Sequence, residues 1–238
     1  MIYYPFMEQN LLRKSDQYYA NTRSDMLRFI RGNPKRILEI GCGQGNFSKN
    51  FTDVEYLGIE ANAEMATRAR ANGINIIAGL YDDVADQIPD GHFGLIVCND
   101  VIEHMIDPAG FLRNVKAKLA PNGHLIASIP NVRYAPVLFD LLVRADFEYA
   151  EAGVLDYTHL HLFTKKSFTR LAEQCGWTVE VSEPLDIAPF KPLKNLVLKL
   201  VELILPELRN AQFAVRISPT ISPSRQTDES PAASRPSA

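Results

Sequence analysis

The stretch Glu39-Ile40-Gly41-Cys42-Gly43-Gln44-Gly45 decides the fold of this chain. It follows a short apolar run, 36–40, which is predicted as a strand, and it opens a predicted helix at 44–52. Glycines at such a junction let the backbone turn tightly and approach a ligand closely, because they carry no Cβ. The stretch therefore predicts a ligand-binding turn between a strand and a helix.

Apolar runs and helical stretches alternate along the rest of the chain, which is typical of an α/β domain with a mostly parallel sheet. Six more strands are predicted, at 56–59, 75–78, 93–98, 124–129, 177–181 and 212–217. Further helices are predicted between them, at 62–72, 108–119 and 165–175. The pattern predicts a Rossmann-like, doubly wound sheet of seven strands, with an insertion at about 131–164 after strand five.

The C-terminal part of the chain differs in composition from the rest. Residues 218–238 contain four prolines, six serines and no aromatic residue, which predicts a disordered tail after one folded domain at 1–217. A predicted helix at about 191–205 has an apolar face. That face packs on the domain, or it contacts a membrane surface or a second subunit.

Composition narrows the function classes. The 238 residues are 46% hydrophobic and carry a net charge of −3, which disfavours nucleic acid as a partner. No apolar run is long enough to span a bilayer, and the N-terminus lacks the pattern of a secretion signal. Three widely spaced cysteines indicate neither a disulfide framework nor a zinc pair, which predicts a cytoplasmic location.

Two acidic residues bracket the glycine turn and indicate its ligand. A dinucleotide site requires a third glycine at position 46, which is Asn46, and the carboxylate of Glu39 would repel phosphates. The same carboxylate suits an ammonium or sulfonium group. Glu60 ends the second strand, where a carboxylate accepts the hydroxyls of a ribose. Together these features predict S-adenosylmethionine as the ligand.

From about Ile37 to Val181 the chain resembles the class I S-adenosylmethionine-dependent methyltransferases. The resemblance also rests on two motifs, the 98–104 stretch after strand four and the 119–125 stretch before strand five. It implies that Asn99 lines the methionine portion and that Leu80 packs on adenine, with Asp82 or Asp83 as the adenine-contacting acid. The predicted cofactor-binding residues are Glu39, Gly41, Cys42, Gly43, Gly45, Glu60, Leu80 and Asn99.

Methyl transfer to a hydroxyl requires alignment of donor and acceptor and removal of a proton, for which histidine is suited near neutral pH. His104 follows strand four, at the edge where such sheets bind ligands. In the insertion, Asp156 and His159 are further candidates, and an extended 156–163 segment would place His161 on the same face as His159. The predicted catalytic residues are His104, His159 and Asp156. No metal ion is predicted, since Asp156 and the two histidines lack a clear further ligand.

The acceptor is indicated by a second resemblance. The stretches 129–133 and 155–167 resemble bacterial methyltransferases associated with surface-glycan assembly, which implies a saccharide hydroxyl. Ubiquinone-type O-methyltransferases share Glu103-His104, so a quinone-like or other small acceptor is an alternative. A third alternative is a regulator that binds the cofactor and catalyses no transfer.

Overall fold

The computed structural model describes residues 22–185, 196, 198–199, 201–203 and 205–220. Its centre is a seven-stranded sheet in the order β3-β2-β1-β4-β5-β7-β6. The strands are β1 (Arg36–Ile40), β2 (Glu55–Glu60), β3 (Asn75–Ala78), β4 (Phe93–Asn99), β5 (Leu119–Pro130), β6 (Trp177–Pro184) and β7 (Gln212–Pro219). β1 to β5 pair in parallel, and β7 runs antiparallel to both β5 and β6. The predicted doubly wound, mostly parallel sheet is confirmed.

Among the residues that the structure describes, the α-helices between these strands include α1 (Ala63–Ala71), α2 (Tyr81–Val84), α3 (Pro108–Asn114), α4 (Ala135–Phe139) and α5 (Lys165–Gln174). The Asn62 side chain accepts hydrogen bonds from the first turn of α1. At α5, Thr164 and Ser167 form a capping box, in which each side chain accepts from the other's backbone N–H. Both arrangements satisfy N–H groups that have no partner inside the helix.

The sheet is buried on both faces. Ile96 and Cys98 of β4 belong to the hydrophobic cluster on one face, and Leu95 and Val97 to the cluster on the other. Successive side chains of a strand point to opposite faces, so a strand covered on both sides is apolar throughout. Both faces are therefore occupied by packing, and ligand chemistry is left to the loops at the carboxyl ends of the strands.

Two predicted helices are shorter in the structure. The 44–52 helix is only a 3-10 helix, Asn46–Asn50, which begins after Gly45 in the left-handed region. The Asn50 side chain donates to the backbone oxygens of Phe47 and Thr22, and Phe51 is extended, so the turn does not propagate. The 108–119 helix is α only to Asn114 and continues as a 3-10 helix, Val115–Lys118.

The last strand continues two residues beyond the predicted 212–217 run. Ser218 and Pro219 still pair with β6, opposite Thr178 and Trp177. Residues 221–238 and most of the predicted 191–205 helix lie outside the described residues, although 196, 198, 199 and 201 are helical. The membrane or dimer contact of that helix stays a prediction. Within the described part of the chain, no helix has the length and apolarity to cross a bilayer.

Candidate active site

The glycine loop between β1 and the 3-10 helix is held close to the neighbouring strand ends. Gly41, Gly43 and Gly45 all have positive φ, at 69°, 54° and 78°. The N–H groups of Gly41 and Cys42 both donate to the oxygen of Ile59, at 2.8 and 3.1 Å. A Cβ on Gly41 would lie 2.5 Å from a methyl carbon of Val101. The turn therefore requires glycine on both conformational and steric grounds.

Glu60 lies at the end of β2, as predicted, and it ties the loop to α1. It is 8% exposed, and its carboxylate accepts from the N–H of Gly43 at 2.7 Å and of Asn62 at 2.8 Å. Burial raises the pKa of Glu60, and these two hydrogen bonds oppose the rise. Each carboxylate oxygen has two lone pairs, so the group can still accept ribose hydroxyls.

Glu39 is 3% exposed in the middle of the sheet. The Tyr56 hydroxyl donates to its carboxylate at 2.6 Å. Burial raises the pKa of Glu39 to about 8, and the nearby charge of Glu60 adds to the rise. A cationic ligand beside this carboxyl would favour its ionised form. The sequence predicts the same preference of Glu39 for a positively charged ligand.

Three more predicted cofactor residues differ in their surroundings. The polar side-chain atoms of Asn99, at the end of β4, are buried without a well-formed hydrogen bond among the described residues, although the amide lies near enough to Glu39 to lower the pKa of that carboxyl. Such atoms cost free energy unless a ligand or water pairs with them. Cys42 packs its sulfur near Gly58 of β2 instead, and Leu80 is half-buried before the first turn of α2, which carries the exposed Asp82 and Asp83.

A polar cluster that the sequence analysis missed surrounds Asp100. This residue has a positive φ of 54°, and its carboxylate forms an ion pair with Arg23. Ser128 and Gln212 donate to the same carboxylate at 2.8 and 2.7 Å. Arg23 also lowers the pKa of Glu39. The four residues come from distant segments of the chain, so no local sequence pattern predicts the cluster. The acidic residue directly after strand four is the one sequence feature that could have indicated it.

The glycine loop, the two carboxyls and the buried Asn99 amide together suit S-adenosylmethionine. The loop allows close backbone approach, Glu60 can take ribose hydroxyls, and Glu39 favours a positively charged amino acid portion. The buried amide provides donor and acceptor atoms for the same ligand. The donor set therefore fits the cofactor.

A second group of side chains lies just beyond this site, at the turn after β4. Glu103, in the 3-10 helix Ile102–His104, is 0% exposed, and neither carboxylate oxygen has a hydrogen-bond partner among the described residues. Its backbone oxygen accepts from the N–H groups of Leu160 and His161, at 2.9 and 3.0 Å. These bonds attach the insertion to the sheet edge.

The insertion brings His159 against His104, with ring centroids 4.8 Å apart. His104 Nδ1 lies 3.0 Å from the oxygen of Thr158, and His159 Nδ1 lies 2.9 Å from the oxygen of Val154. A carbonyl oxygen only accepts, so each Nδ1 carries hydrogen, and Nε2 is an acceptor nitrogen where the ring is neutral. Burial and the neighbouring His159 lower the pKa of His104 to about 4, so this ring is neutral at pH 7.

The other insertion residues occupy different positions from those predicted. Asp156 is 1% exposed and accepts from both the N–H and the hydroxyl of Thr158, so the segment turns here and is not extended. As a result, His159 faces Glu103, with 3.9 Å between its Nε2 and the Glu103 carboxylate. His161 does not share that face.

His161 lies instead in a surface groove of about 420 Å³, stacked on Phe163. The groove lies between the start of α3, the end of the insertion and α5. Its polar members are Asp107, His161, Ser167, Arg170 and Gln174. It combines charged and hydrogen-bonding groups, while Phe163 is buried beneath the His161 ring.

Comparisons with known proteins identify the family. Residues 12–181 match the family model of a methyltransferase domain, and the chain belongs to that family. It is 28% identical over 186 residues to the ubiquinone biosynthesis O-methyltransferase of Aeromonas salmonicida, covering 73% of this chain and 77% of that protein. The enzyme of the same name from Proteus mirabilis is 24% identical over 62% of this chain, which spans 60% of the relative's length.

Solved structures agree on the fold. A S-adenosylmethionine-dependent methyltransferase from Archaeoglobus fulgidus superposes with a TM-score of 0.61 at 17% identity, covering 90% of this chain and 99% of its own. The [4+2]-cyclase SpnF superposes with a TM-score of 0.58 at 16% identity, covering 88% and 85%. The fold alone thus accommodates more than one reaction. Family, fold and donor set together define a S-adenosylmethionine-dependent methyltransferase.

Proposed function

We propose that this protein transfers the methyl group of S-adenosylmethionine to a hydroxyl oxygen of a small molecule or saccharide. The observation that carries the proposal is the position of His104 and His159. His104 lies in the turn that follows Asn99, and His159 of the insertion packs against it, so both histidines lie at the sheet edge that carries the residues that suit the cofactor. The names of the sequence relatives, which are O-methyltransferases, support an oxygen acceptor.

When bound, the cofactor supplies a methyl group on a positively charged sulfur, and loss of that methyl group leaves the sulfur as a neutral thioether. The protein then has to align an acceptor and accept one proton. His104 is the half-buried member of the pair, so we assign the proton acceptor to its Nε2. Asp156 acts as a positioning residue, because it fixes the turn that carries His159.

A saccharide is the acceptor that we favour. The groove beside the site offers the hydrogen-bonding groups of Asp107, Ser167, Arg170 and Gln174, which suit a hydroxyl-rich ring. The names of the relatives support a quinol instead. A cytoplasmic location accords with the three cysteines, which are all buried and free.

A transfer assay with labelled donor tests the reaction on two acceptor panels, saccharides and catechol-type quinols. We expect transfer to at least one saccharide. His104→Gln should lower turnover about 100-fold, the lower end of the range for loss of general-base catalysis. His92→Gln, at a half-buried histidine paired with Glu55, is the matched control and should retain activity.

Two further variants distinguish the acceptor class. Arg170→Ala should raise KM for a saccharide without changing turnover, while Lys166→Ala, outside the groove, should change neither. Methyl transfer to quinols alone would contradict the saccharide proposal and would identify a quinol as the acceptor. Cofactor binding with no transfer to either panel would support the non-catalytic regulator.

A further inference from the structure

Part of the insertion exposes an apolar surface to solvent. Every residue of 141–150 is exposed, and the 139–149 segment carries six large apolar side chains that are 37–76% exposed. These side chains, which we call the insertion patch, are Phe139, Leu141, Leu142, Val143, Phe147 and Tyr149. Large exposed apolar patches mark contact sites in proteins.

The insertion patch has a defined conformation. The N–H of Asp146 donates to the oxygen of Asp140 at 3.0 Å, which closes the turn in the middle of the segment. Arg144 pairs with the carboxylate of Asp140 at 2.9 Å, and its guanidinium lies 5.5 Å from the centre of the Phe139 ring. A surface that is already formed loses little conformational freedom when a partner covers it.

A second exposed apolar surface arises close to the start of the insertion. There the N–H of Ala135 donates to the oxygen of Leu208 at 2.7 Å, just after the C-terminal helical residues. Among the described residues of that helix, Leu198 is buried, whereas Leu196 is 57% exposed. Leu203, seven residues further on and therefore on the same side as Leu196, is 82% exposed. We call Leu196 and Leu203 the helix patch.

The segments that carry the two patches have opposite charge. Residues 140–151 contain four acids and one arginine. Residues 187–203 contain three lysines and one acid, Glu202, which pairs with Arg209. An apolar surface with acidic neighbours fits one with basic neighbours. Both patches are exposed in the same chain, so they do not cover one another, and a second copy offers each of them its complement.

We propose that two copies of this chain associate through these surfaces, with the insertion patch of each copy against the helix patch of the other. A twofold axis generates such a reciprocal contact from two neighbouring, complementary surfaces. The eight apolar side chains of the two patches would remove on the order of 800 Å² from water, which is what each partner contributes to a standard interface.

The charges favour a second copy over a membrane. A bilayer with anionic lipids attracts the lysines of 187–203 and repels the acids of 140–151, whereas a second copy pairs both sets. The association is independent of the proposed function, because neither patch contains a residue that we assign to the cofactor or to proton transfer.

The first test is the mass of the full chain in solution, measured by analytical ultracentrifugation over a concentration series. The wild type should sediment as a dimer that dissociates on dilution. Leu142→Glu places a charge on the apolar surface and should raise the dissociation constant at least about tenfold. Gln87→Glu adds the same charge at an exposed position between β3 and β4, so it is the control and should leave the constant unchanged.

An exchange of charges tests the pairing itself. Glu148→Lys with Glu151→Lys makes both segments of one chain basic, and Lys194→Glu with Lys199→Glu makes both acidic. Each of these two double variants alone should associate at least about tenfold more weakly than the wild type. An equimolar mixture should form a mixed dimer, because both of its contacts then join opposite charges.

Circular dichroism and affinity for S-adenosylmethionine establish that each variant is folded. A wild type that stays monomeric up to ~100 μM, well above the μM-to-pM range of standard interfaces, would overturn the inference. A dimer that Leu142→Glu leaves intact, or double variants that do not combine, would also overturn it. Binding of monomers to phosphatidylglycerol vesicles that Leu142→Glu abolishes would assign the insertion patch to a membrane instead.

Discussion

At the residue scale, the protonation state of Glu39 links cofactor binding to pH. Its pKa is raised to about 8 by burial, so the carboxyl carries a proton in most molecules at pH 7. A positively charged ligand stabilises the carboxylate and lowers that pKa in the complex. Binding below pH 8 must therefore release a proton.

We predict that affinity for S-adenosylmethionine rises with pH up to about 8, by at most tenfold per pH unit for one released proton. Calorimetry in buffers of different ionisation enthalpy measures the proton release directly. Glu39→Gln removes the titrating group, so this component should vanish in that variant. A pH dependence shared equally by wild type and Glu39→Gln would contradict the assignment.

The second prediction at this scale concerns Gly41. Gly41→Ala should destabilise the protein by more than Gly73→Ala, which has a similarly positive φ, 82° against 69°. A Cβ at Gly73 meets nothing within 4 Å, whereas one at Gly41 meets Val101 at 2.5 Å. The excess should be about 1–3 kcal/mol, the usual cost of overpacking. Urea denaturation gives both values, and equal losses would show that the loop relaxes.

At the element scale, the insertion is organised by the turn at Asp156. Asp156→Ala removes the acceptor for two hydrogen bonds of Thr158 and should loosen the segment that carries His159. Hydrogen exchange at 156–163 should rise and turnover should fall, with cofactor affinity unchanged. Asp140→Ala, which breaks an exposed pair with Arg144 in the same insertion, is the control and should have neither effect.

The sequence predicted the elements better than it predicted the contacts between them. All seven strands are present, because runs such as 93–98 are buried on both faces and so are continuously apolar. In the insertion, the prediction that 156–163 is extended was wrong. A local hydrogen bond from Thr158 to Asp156 forms a turn, which separates His159 from His161. The burial of Glu103 is not evident from the sequence, because no local pattern reveals that a distant insertion covers it.

At the scale of the whole molecule, β7 joins β5 to β6 and so completes the sheet. Residues up to Pro219 pair with β6. We predict that a chain ending at Thr220 melts at the temperature of the full chain. A chain ending at Ala211 lacks β7 and exposes two buried strand edges, so it should be insoluble. A lower melting temperature for the first truncation would show that residues 221–238 contribute to the fold.

We propose that the site beyond β4 directs a methyl group to oxygen. The most direct measurement uses S-adenosylmethionine carrying a ¹³C-methyl group and identifies the labelled atom of the product by NMR. We predict an O-methyl product from the wild type and His92→Gln, and its loss in His104→Gln. A label on nitrogen or carbon, or bound cofactor that transfers no label to any hydroxyl acceptor, would contradict it.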